Sequence, residues 1–175
     1  MTAKRKIVTA VFHDPVEGQA AYDGLINRGY RADEINILMS DATRASYFTT
    51  DRREPVRAGS AAAQGVGVGG AIGTAVGATL AALMAVGSVV LIPGLGLAVA
   101  GPIAAAFAGG GAGAVTGGII GGLVGLGIPE PNARAYQDAL RDGGVVIGVI
   151  PRGDRDAAEL KRYFEDLHGD SVCYC

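Results

Sequence analysis

From Ala58 to Pro129 the chain carries no Asp, Glu, Lys, Arg or His. Within that run Gly65, Gly69, Gly73 and Gly77 recur at spacing four, and so do Gly109, Gly113, Gly117, Gly121 and Gly125. Residues four apart lie nearly above one another on an α-helix, so each series opens a groove free of side chains down one helical face. Val68, Ile72, Val76, Leu80 and Met84 form a ridge at the same spacing beside the first groove. Ridge and groove on one helix invite a copy, and small-xxx-small faces bring helices close in lipid and in tight oligomers. Gly disfavours a helix interior by roughly 0.8–1.0 kcal/mol relative to Ala. Close packing therefore has to offset several kcal/mol, about the summed cost of both series.

Two other readings of the run fit less well. A flexible linker is polar and Ser-rich, whereas Leu80, Leu83, Val89, Val90, Leu91 and Ile92 would not stay solvated. Gly65, Gly67 and Gly70 satisfy G-x-G-x-x-G, but no strand precedes them, no acidic ribose ligand follows and the run has no Lys to meet a phosphate. That match is coincidental.

All the charge lies in the flanks, with 15 basic and 17 acidic residues. Such a balance makes no field for nucleic acid or another polyanion. The first residues lead directly into a strand-like stretch that meets His13 and Asp14, which is not a secretory signal. The expected location is the cytoplasm, including the cytoplasmic face of the inner membrane.

The flanks read as alternating strands and helices. Residues 7–12 form a β-branched strand, and Asp14, Pro15 and Glu17 start a helix over 15–28 that Gly29 stops. Residues 35–39 are a second strand. After the apolar run come a helix over 131–141 closed by Gly143 and Gly144, a strand over 145–150, a helix over 154–168 ended by Gly169 and a short last strand over 171–175. Asp154 and Asp156 are expected to cap the last helix. Two split βαβ halves with right-handed crossovers predict an α+β, ferredoxin-like head, its antiparallel sheet carrying two helices on one face. Residues 1–57 and 130–175 supply the halves, and 58–129 is the insertion. Pro93 and Pro102 interrupt it, predicting a glycine-zipper hairpin with helices over 61–92 and 102–126. Its turn is apolar where Asn, Asp, Ser or Lys would be usual. Leu95, Leu97 and Val99 are therefore expected to touch a membrane or a partner.

The sequence from Ile7 to Asp14, the helix ending at Arg28, Gly29 and Tyr30, and the segment from Asp33 to Leu38 resemble the bacterial heat-induced and general-stress protein family of unknown function. The return through Gly127 to Glu130, Tyr136, the turn from Arg141 to Gly144, and Val145 to Ile150 is similar to that family's second half. The resemblance implies a stress-associated protein and supplies no catalytic residues. The Cys173-Tyr174-Cys175 segment departs from its pattern.

Raw material for chemistry is sparse. His13 follows a strand end, and His168 lies in the last turn of a helix, where an imidazolium suits the dipole. Cys173 and Cys175 read as too close for an easy mutual disulfide. With His168 they form a weak candidate set for zinc or copper, and a redox role or an intermolecular bond is the alternative. No nucleophile–base arrangement is legible, so no enzyme, cofactor or metal is expected. The sequence points to a non-enzymatic protein that self-associates through its glycine series and inserts in or lies on a membrane, or to a soluble homo-oligomer without lipid.

Overall fold

The computed structural model describes residues 6–48, 90–92, 95–104 and 112–175. The chain is α+β, built on one six-stranded sheet. Strand β1 (Val8–Phe12) leads to helix α1 (Pro15–Asn27), which starts where the Asp14 carboxylate accepts the Val16 amide at 2.8 Å. Gly29, at φ 83°, ends it. A 3-10 turn (Ala32–Glu34) feeds strand β2 (Ile35–Ser40), whose last residue caps the short helix α2 (Asp41–Thr43), continued by a wider turn (Arg44–Phe48). Strands β3 (Val90–Ile92) and β4 (Leu97–Ala100) follow, then helix α3 (Ala112–Leu126), helix α4 (Glu130–Arg141), strand β5 (Val145–Val149), helix α5 (Asp154–Asp166) and strand β6 (Asp170–Tyr174).

The strands lie in the order β3-β4-β2-β5-β1-β6, and each neighbouring pair is antiparallel. Both faces are covered. On one, Phe12, Ile37, Met39 and Ile147 pack under Tyr22 and Leu25 of α1 and Leu160 and Phe164 of α5. On the other, Val11, Leu38, Val99 and Val146 pack under Leu123 of α3 and Tyr136 and Leu140 of α4. Strands buried on two sides read as continuous apolar runs, and every residue of β1, β4 and β5 is buried. Two helices, α1 and α5, cover one face as expected, and α3 with α4 adds a layer on the other that the expected fold does not include.

The predicted hairpin turn is also corrected. Residues 90–92 and 97–100, expected in a helix end and an apolar turn covered by a membrane or a partner, form a β-hairpin instead. Leu97 stands opposite Ser40 and Val99 opposite Leu38, so the hairpin extends the sheet beyond β2. The sequence Leu97-Ala-Val-Ala is short, apolar and flanked by Gly96 and Gly101, which suits a buried strand as well as a turn. Gly101 follows at φ 89°, and a Cβ there would lie 2.3 Å from the Ile35 carbonyl oxygen, so the chain leaves the sheet at a point only Gly accommodates. The second predicted helix is present as α3 over 112–126, but it breaks at Gly118 (φ 61°, ψ −145°). Among the described residues no helix is long and apolar enough to cross a membrane.

Candidate functional site

The glycine series divides between positions inside and outside the described residues. Gly65, Gly69, Gly73, Gly77 and Gly109 lie outside them. Gly113 and Gly117 fall in α3 before its break, and Gly121 and Gly125 after it. Beyond the break, Ile119 and Leu123 turn inward, at 7% and 0% exposure, and Ile128 follows them into the core at 2%. The opposite side of the helix carries Val124, at 42% exposure, and the exposed Gly125. Among the described residues, a Cβ on Gly125 would meet no atom within 4 Å. Gly125, the last of the second series, therefore presents bare backbone outward while Ile119 and Leu123 face in.

The three residues expected at the hairpin tip are placed differently. Leu97 and Val99 are buried, at 2% and 0% exposure, against Leu38 and the α3–α4 layer. Leu95 is half-buried on the edge of the same cluster, and the α3 break lies against it, since a Cβ on Gly118 would stand 3.8 Å from its Cδ2. What covers Leu97 and Val99 is the protein's own second layer.

A small open cavity of about 150 Å³ lies at the end of that layer, lined by Ile7, Asn36, Pro102, Ile103, Leu126, Ile128 and Ile150. Asn36, 1% exposed, is polar within an apolar strand. Its Nδ2 donates to the Gly148 carbonyl at 3.2 Å, and its Oδ1 accepts the Ile103 amide at 2.8 Å. Both ends of the amide are thus used to join β2 to β5 and to the helical turn at 102–104, and the remaining lining is apolar. A cavity of this size falls short of the ~300–1,000 Å³ of ordinary ligand pockets.

Two further buried hydroxyls, those of Thr9 and Tyr136, are paired. Tyr136 donates to the Ser171 carbonyl at 2.8 Å and accepts from Thr9 at 2.8 Å, tying α4 to β6 and β1. Burial pushes its hydroxyl up to about 12, against smaller lowering by Thr9 and Asn132. Tyr30 is raised too, first by burial and then by its hydrogen bond to Asp156. The Arg152 guanidinium stacks over the Tyr30 ring at 4.5 Å and donates to the Gly29 carbonyl at 2.6 Å. These contacts latch the end of α1 to the start of α5. They were not foreseen, although Tyr30 beside a helix-stopping Gly and Arg152 after a Pro are the signal they leave in the sequence.

Asp154 and Asp156 do not cap α5 with their side chains. The cap position is Gly153; Asp156 accepts the Arg152 amide at 2.7 Å, and Asp154 accepts the Tyr174 hydroxyl at 3.0 Å. His13 pairs with Asp170 at 3.1 Å and His168 with Glu17 at 3.1 Å, all on the surface. His168 is therefore held toward α1. Among the described residues no group of three or more His, Cys, Asp or Glu is arranged to hold a metal ion. Cys173 and Cys175 are joined in a disulfide, contrary to expectation. Residues two apart on a strand point to the same side, which brings the two sulfurs together without closing a turn.

No protein-family model matches this chain, and neither a curated protein nor a solved structure does.

Proposed function

We propose that the chain is a non-enzymatic, self-assembling protein whose α+β head is of the ferredoxin-like kind and whose glycine series pack against copies of itself. The order β2-β5-β1-β6, with α1 and α5 on one face, supports the ferredoxin-like reading of the head. In that reading β3, β4, α3 and α4 are additions to it. The stress setting implied by the family resemblance belongs to the same proposal. The two histidines, each tied to a surface carboxylate away from the cavity, favour a role without catalysis.

The observation that carries the assembly reading is the outward side of α3, where Gly125 leaves open space beside exposed Val124. A helix that buries Ile119 and Leu123 in its own core and still offers bare backbone outward is suited to close approach by a second helix. The uncharged residues 58–89, with their four-spaced glycines, supply a complementary surface in sequence terms.

Membrane contact is the second reading, favoured by the absence of charge in 58–89. Chain length argues for shallow contact. Both ends of that segment return to one head, so as two helical limbs of about 16 residues each it reaches only ~24 Å at ~1.5 Å per residue. A hydrocarbon layer is ~30 Å thick. Assembly between copies has no such length requirement.

Native mass spectrometry of the wild type, Gly125→Leu and Gly73→Leu tests the proposal. Leu raises helix propensity and, at position 125, its Cβ meets no atom of the described residues within 4 Å. The expected outcome is a particle of several copies in the wild type and a smaller one in each variant. Unchanged mass in both variants would sink the zipper reading. Recovery of the wild type only in detergent, with flotation on lipid vesicles, would put the membrane reading first.

A further inference from the structure

Cys173 on β6 and Cys175 just past its end have one residue between them, their Cα atoms 5.7 Å apart and their sulfurs bonded. Strand β6 is the sheet's last, hydrogen-bonded to β1 on one side and open on the other among the described residues. Both cysteines are half-exposed. Cys175 leans on the α3–α4 layer, whereas Val172 leans on the opposite one. The stabilisation a disulfide gives by restricting the unfolded chain grows with the length of the loop it closes. One intervening residue lies near the bottom of that scale. The strand is also fixed without the bond: Ile7 and Cys175 exchange backbone hydrogen bonds at 2.6 and 3.0 Å, and Thr9 stands opposite Cys173. The disulfide sits where it adds least to the fold and where a thiol can reach it, and exposed disulfides belong to the exchangeable class.

We infer that Cys173 and Cys175 form a reversible dithiol–disulfide couple whose substrates are small thiols of the glutathione type. In the reducing direction a small thiolate attacks Cys173 Sγ, the S–S bond breaks, and Cys175 leaves as a thiolate that takes a proton from water. A second small thiolate then attacks the sulfur of the attached molecule, releasing a small disulfide and the Cys173 thiolate. Two electrons pass from two small thiols to the pair. The reverse sequence closes the bond, with the small disulfide as oxidant. The couple stands independently of the assembly reading.

The test incubates the full chain in mixtures of reduced and oxidised glutathione, quenches with acid, alkylates with N-ethylmaleimide and reads the intact mass. The wild type is expected to pass reversibly between no alkyl groups and two, with its far-ultraviolet circular dichroism unchanged. Cys173→Ser and Cys175→Ser are each expected to accumulate a glutathione adduct that the wild type does not retain, because the second thiol resolves it. Two results would overturn the inference: a bond that stays closed in excess reduced glutathione until urea unfolds the chain, or a wild type carrying glutathione on both cysteines in oxidised buffer. Both are read on the wild type, so a variant that fails to fold does not blunt the experiment.

Discussion

The two faces of the sheet are buried to a similar degree but are written differently in the sequence. The face under α1 and α5 is covered by helices from the charged flanks. Its contacts are shaped: Phe12 meets Phe164 edge-on at 5.7 Å, and a Cβ on Gly24 would fall 1.6 Å from the Tyr163 hydroxyl that rests on α1. The face under α3 and α4 takes β4, Ile103, Ile119 and Leu123 from the uncharged run and, among the described residues, fills its space with aliphatic side chains around the ring of Tyr136. A helix with a polar side declares which side it buries. Helix α3 has no polar side, so only the structure distinguishes inward Leu123 from outward Val124.

The largest effect that would break this comparison is loss of the second face. Replacing residues 49–127 with a short Gly-Ser linker joins the two halves that the sequence presents as self-sufficient. In the structure it removes β3, β4 and α3 and uncovers Leu38, Val11 and Val146. The expected outcome is a chain without a cooperative urea transition or native near-ultraviolet signal. Removing only residues 58–86 takes away none of the described contacts, and that protein is expected to keep its transition. A cooperative transition in the larger deletion would show that the α1–α5 face alone makes the fold.

A single residue sharpens the same point. Leu97→Asp puts a carboxylate opposite Ser40 under the α3–α4 layer, losing about 1.5–3 kcal/mol of burial and adding the cost of an unpaired buried charge. The total is expected to exceed about 4 kcal/mol, much of an ordinary domain's stability. Leu95→Asp, at a half-buried edge, is expected to cost clearly less. Chemical denaturation of both variants reads the difference. Equal, small losses would mean that Leu97 is not in the core and would return it to the tip of a projecting hairpin.

The contrast between faces also explains what could be read from the residues. The flanking elements were legible within a residue or two because Asp14, Pro15, Gly29, Gly143 and Gly169 punctuate them and their helices alternate polar with apolar sides. The stretch from Val90 to Ala104 was not. A four-residue apolar strand and a piece of apolar helix have the same composition, and periodicity cannot separate them over so short a span. The glycine spacing was legible as a pattern, but not the break at Gly118, since the same residue permits both helix and positive φ. The Cys173–Cys175 bond was misread because sequence separation was weighed without the strand that aligns the two side chains.

The smallest of these tests concerns the ring of Tyr136 on the aliphatic face. Tyr136 is fully buried, and its hydroxyl is pushed up to about 12 from the 10.0 of a free tyrosine. The folded protein therefore holds the Tyr136 proton more tightly than the unfolded chain does. The resulting stability is fully present below pH ~10 and is lost as pH rises through about 12, a loss of roughly 2–3 kcal/mol for two units. Tyr22, Tyr30 and Tyr163 on the opposite face are raised as well, each mainly by burial, so the wild type is expected to weaken over this range for several reasons. Tyr136→Phe isolates one of them. At pH 8 it is expected to be about 1 kcal/mol less stable, because Thr9 and the Ser171 carbonyl lose their partner. Between pH 10 and 12 its stability is expected to fall less steeply than that of the wild type, so that the two curves converge. Urea midpoints at half-unit intervals would read both slopes. Parallel curves would mean that Tyr136 ionises in the folded state as it does in the unfolded chain, and that α4 does not seal the second face as tightly as α1 and α5 seal the first.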